Sequence, residues 1–167
     1  KILFAGLTGQ IGYRLASYLV KDNEVWGLAR FRDESKRKAL EKEGVKTHAT
    51  DLANPDLTGL PDDFTYAINF AVYQESGLDF DLAIRINAEG TALLMKHCRR
   101  ARGFLVMSSC AIYELPQDPR HAVKESDPMG GPKSLHCPTY AISKTAQEAA
   151  ARSTAQLLGL PTTIARM

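Results

Sequence analysis

The chain has 167 residues, of which 44% are hydrophobic, and this is enough apolar material for one substantial core and one domain. Its formal net charge of +2 at pH 7 gives no reason to expect a nucleic-acid partner. No apolar run approaches the roughly 18 residues of a membrane span, so we expect no membrane association and a cytoplasmic location. The cysteines and histidines show no metal-ligand spacing, so no metal site is predicted.

The N-terminal residues predict a strand, a glycine turn and a helix. Residues 1–6 are mostly apolar, and apolar residues recur at helical spacing between 10 and 20. On the turn between them, Gly6 allows a tight bend, Gly9 lets the backbone approach a pyrophosphate, and Gly12 allows the helix to pack closely on the sheet. The free N–H groups at the start of the helix would face the anion. We therefore interpret this segment as a dinucleotide site rather than as a plain turn that opens a helix.

The second predicted strand spans residues 24–29, and Arg30 follows it directly. Proteins that bind NAD carry an acidic residue about 20 positions after the glycine turn, where it holds the ribose 2′-hydroxyl, whereas an arginine suits the 2′-phosphate of NADP. That acid is missing here, although Asp33 and Glu34 stand nearby. We expect NADP to be favoured, with NAD possible; the alternative is that these residues form a solvated charged stretch.

The rest of the chain alternates strands with helices. Further strands are predicted near 45–48, 65–71, 103–108 and 161–166, helices near 34–43, 79–101 and 138–158, and a turn or short helical piece near 55–59. This alternation predicts an α/β fold with a doubly wound parallel sheet, Rossmann-like, in three αβα layers. Residues 1–167 are expected to form one NAD(P)-binding domain.

Two hydroxyl residues, Ser108 and Ser109, follow the apolar strand near 103–108. The carboxyl end of a parallel strand is where ligands bind in such sheets. Ser109 is therefore expected to hydrogen-bond a substrate oxygen.

A stretch rich in proline and glycine runs from 114 to 137 and predicts a long loop. Loops of this length in a compact domain are usually functional or mobile. Because it lies between Ser109 and Tyr140, we expect it to cover the site, with Glu125 and Asp127 as candidates for substrate contact. A solvated acidic loop is an equally good interpretation of those two residues.

Tyr140 and Lys144 lie in the alanine-rich helix predicted over 138–158. At positions i and i+4 their side chains share one helix face. A nearby ammonium favours the phenolate form of a tyrosine, which suits that residue to proton transfer. Such a pair is common by chance on an exposed helix, but together with Ser109 it predicts a catalytic site.

These motifs resemble the extended short-chain dehydrogenase/reductase family, in the branch that holds NAD-dependent epimerases and dehydratases of nucleotide sugars. The resemblance runs the whole length of the chain. The segments that carry it and imply contacts with the cofactor are the turn Gly6-Leu7-Thr8-Gly9-Gln10-Ile11-Gly12, the pair Asp51-Leu52 at the adenine, Asn69-Phe70-Ala71-Val72 where the family more often has His-Leu-Ala-Ala, Asn87 in Asn-x-x-Gly-Thr, and Ser108.

The same resemblance implies roles for the catalytic residues. Tyr140 would move a proton, Lys144 would bind the nicotinamide ribose, and Ser109, four residues before Tyr113 as in the family pattern, would orient the substrate. The bound cofactor would exchange a hydride with a carbon of a small-molecule substrate, a nucleotide sugar.

The residues after Ser109 bear on the type of reaction. Cys110 and Ala111 stand where the 4,6-dehydratases of the family have Asp-Glu, so epimerisation is favoured over dehydration. An NADPH-dependent carbonyl reductase is the alternative, and a non-catalytic NAD(P)-sensing protein is a further one. Cys110 resembles the cysteine of GDP-fucose-synthase-like members but lies one position out of register, so we expect a small residue packed beneath the site.

Members of this family carry a further C-terminal part that shapes the sugar-nucleotide pocket. The chain ends with the sixth predicted strand, so we expect it to be truncated from a longer protein. The family also implies a homodimer through the helices near 79–101 and 138–158.

Overall fold

A computed structural model describes residues 1–130 and 136–167. Its six strands are β1 Ile2–Ala5, β2 Val25–Ala29, β3 Lys46–Ala49, β4 Tyr66–Asn69, β5 Gly103–Ser108 and β6 Thr162–Arg166. All pairings are parallel, and the order across the sheet is β3-β2-β1-β4-β5-β6. The predicted doubly wound α/β fold is confirmed.

The helices are α1 Gln10–Leu19, α2 Glu34–Lys42, α3 Phe80–Ile84, α4 Gly90–His97 and α5 Pro138–Leu158. A π-helical segment, Arg85–Glu89, joins α3 to α4, and a 3₁₀ turn, Cys110–Ile112, follows β5. Within the described residues, no helix has the length and apolar character needed to cross a membrane.

One predicted element differs from the structure, and the structure decides between the two alternatives left for another. The helix predicted over 79–101 ends at His97, because the chain turns at Cys98 and the N–H of Ala101 donates to the carbonyl of Cys98. Of the turn or short helical piece predicted near 55–59, the structure has a turn at 58–59 and no helix. There Oδ1 of Asp56 accepts a hydrogen bond from the N–H of Thr58 at 2.9 Å, and such side-chain bonds offer the backbone an alternative to a helix.

The sheet is covered on both faces, which explains the continuous apolar run of β1. Leu3 and Ala5 pack into the core on the side of α4 and α5, while Ile2 and Phe4 pack into the core on the side of α1 and α2. Successive side chains of a strand point to opposite faces, so a strand buried on both sides is apolar at every position.

The strand order reverses between β1 and β4. The chain passes from β1 to β2 on one side, whereas β4 lies on the other side, with Ala5 opposite both Leu28 and Asn69. Ligands of open α/β sheets bind in the crevice at the carboxyl ends of the strands where this reversal occurs. The reversal therefore locates the candidate site.

Candidate active site

The glycine turn between β1 and α1 excludes side chains at two positions. Gly6 has φ +79°, and a Cβ atom there would lie 2.4 Å from the backbone nitrogen of Ala71 beyond β4. A Cβ on Gly12 would lie 2.8 Å from both the carbonyl oxygen of Gly6 and Cα of Leu7. The first glycine therefore permits β1 and β4 to approach at the crevice, and the third permits α1 to pack against the turn.

The start of α1 has room for an anion. Gly9 is the N-cap residue, with no side-chain capping hydrogen bond and no acidic residue in the first turn. The opening N–H groups of a helix, here those of Gln10 and Ile11, have no partner within the helix, and they carry the positive end of its dipole. A Cβ at Gly9 would meet only the carbonyl oxygen of Gly6, at 3.4 Å, so the space beside this glycine is open.

A cleft of about 230 Å³ lies between the glycine turn and the ends of β2 and β4. It brings together nine residues predicted to bind a cofactor: Gly6, Thr8, Gly9, Arg30, Asp51, Leu52, Phe70, Ala71 and Val72. Its other lining residues, which the sequence did not indicate, are Leu28, Ala29, Thr50, Tyr73, Glu75 and Ile86. Because the glycine turn borders this cleft, the residues present fit a dinucleotide.

The charge at the mouth of the cleft comes from the loop after β2. Arg30 lines the cleft, and a smaller pocket of about 170 Å³ beside it is lined by Thr8, Arg30, Phe31, Arg32, Asp33 and Lys36. Phe31 adopts φ 45°, a costly backbone conformation for this residue, and its ring is buried with the guanidinium of Arg37 5.3 Å from the ring centroid. The buried ring therefore anchors the loop that carries Arg30.

Asp33, three residues after Arg30, is held at the start of α2. Its Oδ1 accepts a hydrogen bond at 3.0 Å from the N–H of Ser35, at the start of α2. The hydrogen bond from the Ser35 side chain, with smaller contributions from the backbone, lowers the pKa of Asp33. This carboxylate is the N-cap of a helix.

Ser109 and Lys144 each have a hydrogen bond near the carboxyl end of β5. Nζ of Lys144 donates to the carbonyl oxygen of Met107 at 2.6 Å, two residues before Ser109. Ser109 caps the 3₁₀ turn, and its Oγ accepts a hydrogen bond from the N–H of Ala111 at 3.2 Å. Burial lowers the pKa of Lys144 to about 8, against an opposing effect of the carboxylate of Glu148.

Tyr140 is half-buried in the first turn of α5, on the same face as Lys144. Its carbonyl oxygen accepts a hydrogen bond from Oγ of Ser143 at 3.0 Å, and Oγ of Ser143 accepts one from Nδ2 of Asn87 at 2.9 Å. Asn87 lies behind the cleft rather than in its lining, and its Oδ1 accepts from the N–H of Tyr73 at 2.7 Å. It joins the cleft wall to the start of α5.

One predicted contact, that of Cys110, differs from the structure, whereas the substrate contacts of Glu125 and Asp127 remain predictions. Cys110, expected to pack beneath the site, is exposed, because it begins the turn that leaves the sheet. The side chain of Glu125 is exposed, while its carbonyl oxygen accepts from Nη1 of Arg166 at 3.1 Å. Asp127 is held within the loop, where Oδ2 accepts from the N–H of Lys124 at 2.9 Å.

Part of the predicted covering loop, 131–135, lies outside the described residues. The described remainder, residues 114–130 and 136–137, contains no helix or named strand, and Met129 forms an isolated bridge with Tyr113. Ser108 ends β5 and is buried. Gln10 lines a groove between α1 and α2 that adjoins the cleft.

Four polar residues near the site were not predicted: Thr91, Gln147, Glu148 and Arg166. Thr91, Gln147 and Glu148 are buried, and Arg166 is largely so. A signal for two of them was present in the sequence: Gln147 and Glu148 stand seven and eight positions after Tyr140, on the face of α5 that carries Tyr140 and Lys144.

A parallel sheet whose strand order reverses beside a glycine turn defines the chain as a Rossmann-like α/β protein. Residues 2–167 match the family described as the NAD dependent epimerase/dehydratase family, and the chain belongs to that family. A search of curated proteins finds no significant match.

Solved structures share the fold. UDP-glucuronic acid 4-epimerase from Bacillus cereus, in complex with NAD, is 24% identical, with a TM-score of 0.80, and the match covers 99% of this chain and 54% of that one. UDP-N-acetylglucosamine 4-epimerase from Methanobrevibacter ruminantium M1 is 21% identical, with a TM-score of 0.81 and coverage of 99% and 54%. The terminal R domain from the myxalamid PKS-NRPS biosynthetic pathway is 24% identical, with a TM-score of 0.76 and coverage of 99% and 47%. The chain spans about half the length of these structures.

Proposed function

We propose that the chain is the NAD(P)-binding domain of an enzyme that transfers hydride and a proton at a sugar carbon of a nucleotide sugar, and that it favours NADP. The observation that carries the proposal is the position of Lys144. Its bond to the carbonyl oxygen of Met107 holds the ammonium two residues from Ser109. That end of β5 lies beside β4, whose following residues line the cleft.

Binding of the dinucleotide is assigned to the two sides of the cleft. The N–H groups at the start of α1 would hold the pyrophosphate, and the open space beside Gly9 supports this assignment. Asp51 and Leu52 would border the adenine, with Phe70, Ala71 and Val72 along the opposite wall.

The preference for NADP depends on Arg30. An arginine at the mouth of the cleft suits a 2′-phosphate, because its planar guanidinium donates two parallel hydrogen bonds to phosphate oxygens. The use of Asp33 as a helix cap supports this assignment, because that carboxylate is already bonded to Ser35.

The proton step is assigned to the three residues at the end of β5 and the start of α5. Tyr140 would exchange a proton with the substrate oxygen, and Ser109 would orient that oxygen by a hydrogen bond. Lys144 would hold a ribose. The bound cofactor supplies the hydride chemistry.

Epimerisation is the favoured reaction. Cys110 and Ala111 provide no carboxyl group for the elimination of water. The structural neighbours named as UDP-sugar 4-epimerases share the fold, which supports the assignment of a nucleotide sugar as the substrate class. A carbonyl reductase that consumes NADPH is the second candidate, and Arg30 in place of an acid favours it.

The test uses the full-length protein with a panel of nucleotide sugars. Nuclear magnetic resonance detects an epimer, and absorbance at the nicotinamide band detects net oxidation of NADPH. We expect an epimer without net oxidation, and we expect Tyr140→Phe to lose turnover while it still binds the cofactor. Tyr18→Phe, at a tyrosine 68% exposed on α1, is the matched control. Stoichiometric oxidation of NADPH would establish the reductase instead, and full activity of Tyr140→Phe would contradict both.

A further inference from the structure

Behind the cleft, a buried hydroxyl joins three elements of the fold. Oγ1 of Thr91, on α4, accepts hydrogen bonds at 2.8 Å from Nδ2 of Asn69 and at 2.8 Å from Nε2 of Gln147. It donates at 2.6 Å to the carbonyl oxygen of Asn87 in the π-helical segment. Asn69 ends β4 and Gln147 lies on α5, so one oxygen atom links the sheet to both helices.

The hydrogen-bonding capacity of this hydroxyl is fully used. A threonine hydroxyl offers one donor and two acceptor lone pairs, and all three are engaged here. Thr91, Asn69, Gln147 and Asn87 are each at most 1% exposed, so water cannot replace a lost bond without entering the core. Loss of the hydroxyl would leave two buried N–H donors and one carbonyl without their partner.

The hydrogen bond between Thr91 and Asn69 connects Thr91 to the wall of the cleft. Oδ1 of Asn69 accepts from the N–H of Ala71 at 3.0 Å, so the amide whose Nδ2 is held by Thr91 also holds the backbone of a residue in the cleft wall. The preceding amide is held differently, since the N–H of Phe70 donates to the carbonyl oxygen of Ala5 at 2.9 Å. Ala71 is thus held by the carboxamide of Asn69, and Phe70 by the neighbouring strand.

The hydrogen bond between Thr91 and Gln147 connects Thr91 to α5, the helix that carries the proposed catalytic residues. Gln147 stands seven positions after Tyr140 and three after Lys144, on the same face of α5. Through Thr91, the side of the helix that carries the proposed catalytic residues is fixed against the end of β4. From these contacts we infer that Thr91 is a positioning residue. Its hydroxyl fixes the position of the cleft wall at Ala71 relative to the helix that carries Tyr140 and Lys144.

The test compares Thr91→Val, which keeps the shape and removes the hydroxyl, with Thr91→Ser, which retains it. Residue-resolved amide hydrogen exchange of the cofactor-free chain is the readout. In Thr91→Val we expect exchange at Ala71 to rise by about tenfold, as for the loss of a buried hydrogen bond, while exchange at Phe70 changes by less than about twofold. Thr91→Ser should return Ala71 to the wild-type rate.

A matched control separates this role from a general loss of stability. Thr145 also donates from its hydroxyl to a helix carbonyl, that of Ala141 at 2.9 Å, and it has no bond to Thr91. Thr145→Val should leave Ala71 unchanged. An equal rise at Ala71 and Phe70 in Thr91→Val, or no rise at Ala71, would overturn the inference.

Should Thr91→Val not fold, a second variant, Gln147→Met, removes one donor to the hydroxyl. About a threefold rise in exchange at Ala71 is then expected, and an unchanged rate would overturn the inference.

The consequence for ligand binding rests on the proposed function. We expect the dissociation constant of NADPH to rise at least about fivefold in Thr91→Val and to recover in Thr91→Ser. Unchanged affinity in Thr91→Val would show that the position of Ala71 relative to α5 does not affect NADPH binding, and it would overturn that part of the inference. Absence of NADPH binding by the wild type would contradict the proposed function, whereas the exchange rates at Ala71 decide the positioning role by themselves.

Discussion

Arg166 and Glu148 form a doubly hydrogen-bonded ion pair: Nε and Nη2 of the arginine each donate to the carboxylate at 2.8 Å. The pair joins the last strand to the helix that carries Tyr140 and Lys144. Nη1 of Arg166 also donates to the hydroxyl of Tyr113 at 2.7 Å, and the guanidinium lies 4.9 Å from the centre of that ring. One side chain therefore ties β6 to α5 and to the segment that follows Ser109.

Removal of one member of this pair should be strongly destabilising. Glu148 is 3% exposed, and Arg166→Met would leave its carboxylate buried without its two-bond partner, with Arg152 at the longer distance of 3.8 Å. We expect the free energy of unfolding to fall by about 3 to 5 kcal/mol, measured by urea denaturation. Arg152→Met, at a side chain 66% exposed, is the control and should cost less than about 1 kcal/mol. Equal losses of unfolding free energy in the two variants would contradict a larger stabilising contribution from the buried pair.

Lys144 should make stability depend on pH in the alkaline range. Burial lowers its pKa to about 8 in the folded chain, from an ordinary value of 10.5. Between these two values the unfolded chain holds more protons, so the free energy of unfolding rises with pH. Relative to Lys144→Met, the wild type should gain about 3 kcal/mol from pH 8 to pH 10.5.

The matched control for this measurement is Lys38→Met, at an exposed lysine on α2. Its stability should follow that of the wild type in parallel across the same range. A constant difference between the wild type and Lys144→Met from pH 8 to pH 10.5 would contradict the lowered pKa of Lys144.

Alanine substitutions at two glycines of the turn should differ in their effects on stability and on cofactor binding. Gly6→Ala places a Cβ atom 2.4 Å from the backbone nitrogen of Ala71 at a positive φ, so we expect a loss of at least about 3 kcal/mol in unfolding free energy. Gly9→Ala meets only one backbone oxygen, at 3.4 Å, and should cost less than about 1 kcal/mol.

The effect of Gly9→Ala on NADPH should be larger than its effect on stability. A methyl group there would stand where the pyrophosphate is proposed to approach, so we expect affinity to fall by about tenfold or more. Fluorescence titration of a variant shown to be folded by circular dichroism checks this. Unchanged affinity would place the pyrophosphate elsewhere.

The sequence predicted the features that depend on local sterics and periodicity. The apolar run of β1, the glycine turn and the face shared by Tyr140 and Lys144 require only the geometry of a strand, a turn and a helix. The nine predicted cleft residues come together because each follows the carboxyl end of a strand or lies on the glycine turn, which a parallel sheet places at one edge.

The remaining features depend on contacts between distant residues. The π-helical segment interrupts a helix that the pattern predicts as continuous, and its Asn87 is held by the backbone of Tyr73, 14 positions away. The bond of Lys144 to the carbonyl of Met107 spans 37 positions. Such pairings follow from how α5 packs on the sheet, and helical periodicity alone does not specify them.

The most direct test of the proposed cofactor site is a paired titration of the purified chain with NADPH and NADH, followed by nicotinamide fluorescence. We expect NADPH to bind at least about tenfold more tightly, and Arg30→Ala to lose most of that preference. Arg99→Ala, at an exposed arginine after α4, should retain it. Equal or tighter binding of NADH would contradict the preference for NADP, and no binding of either nucleotide would contradict the cofactor site itself.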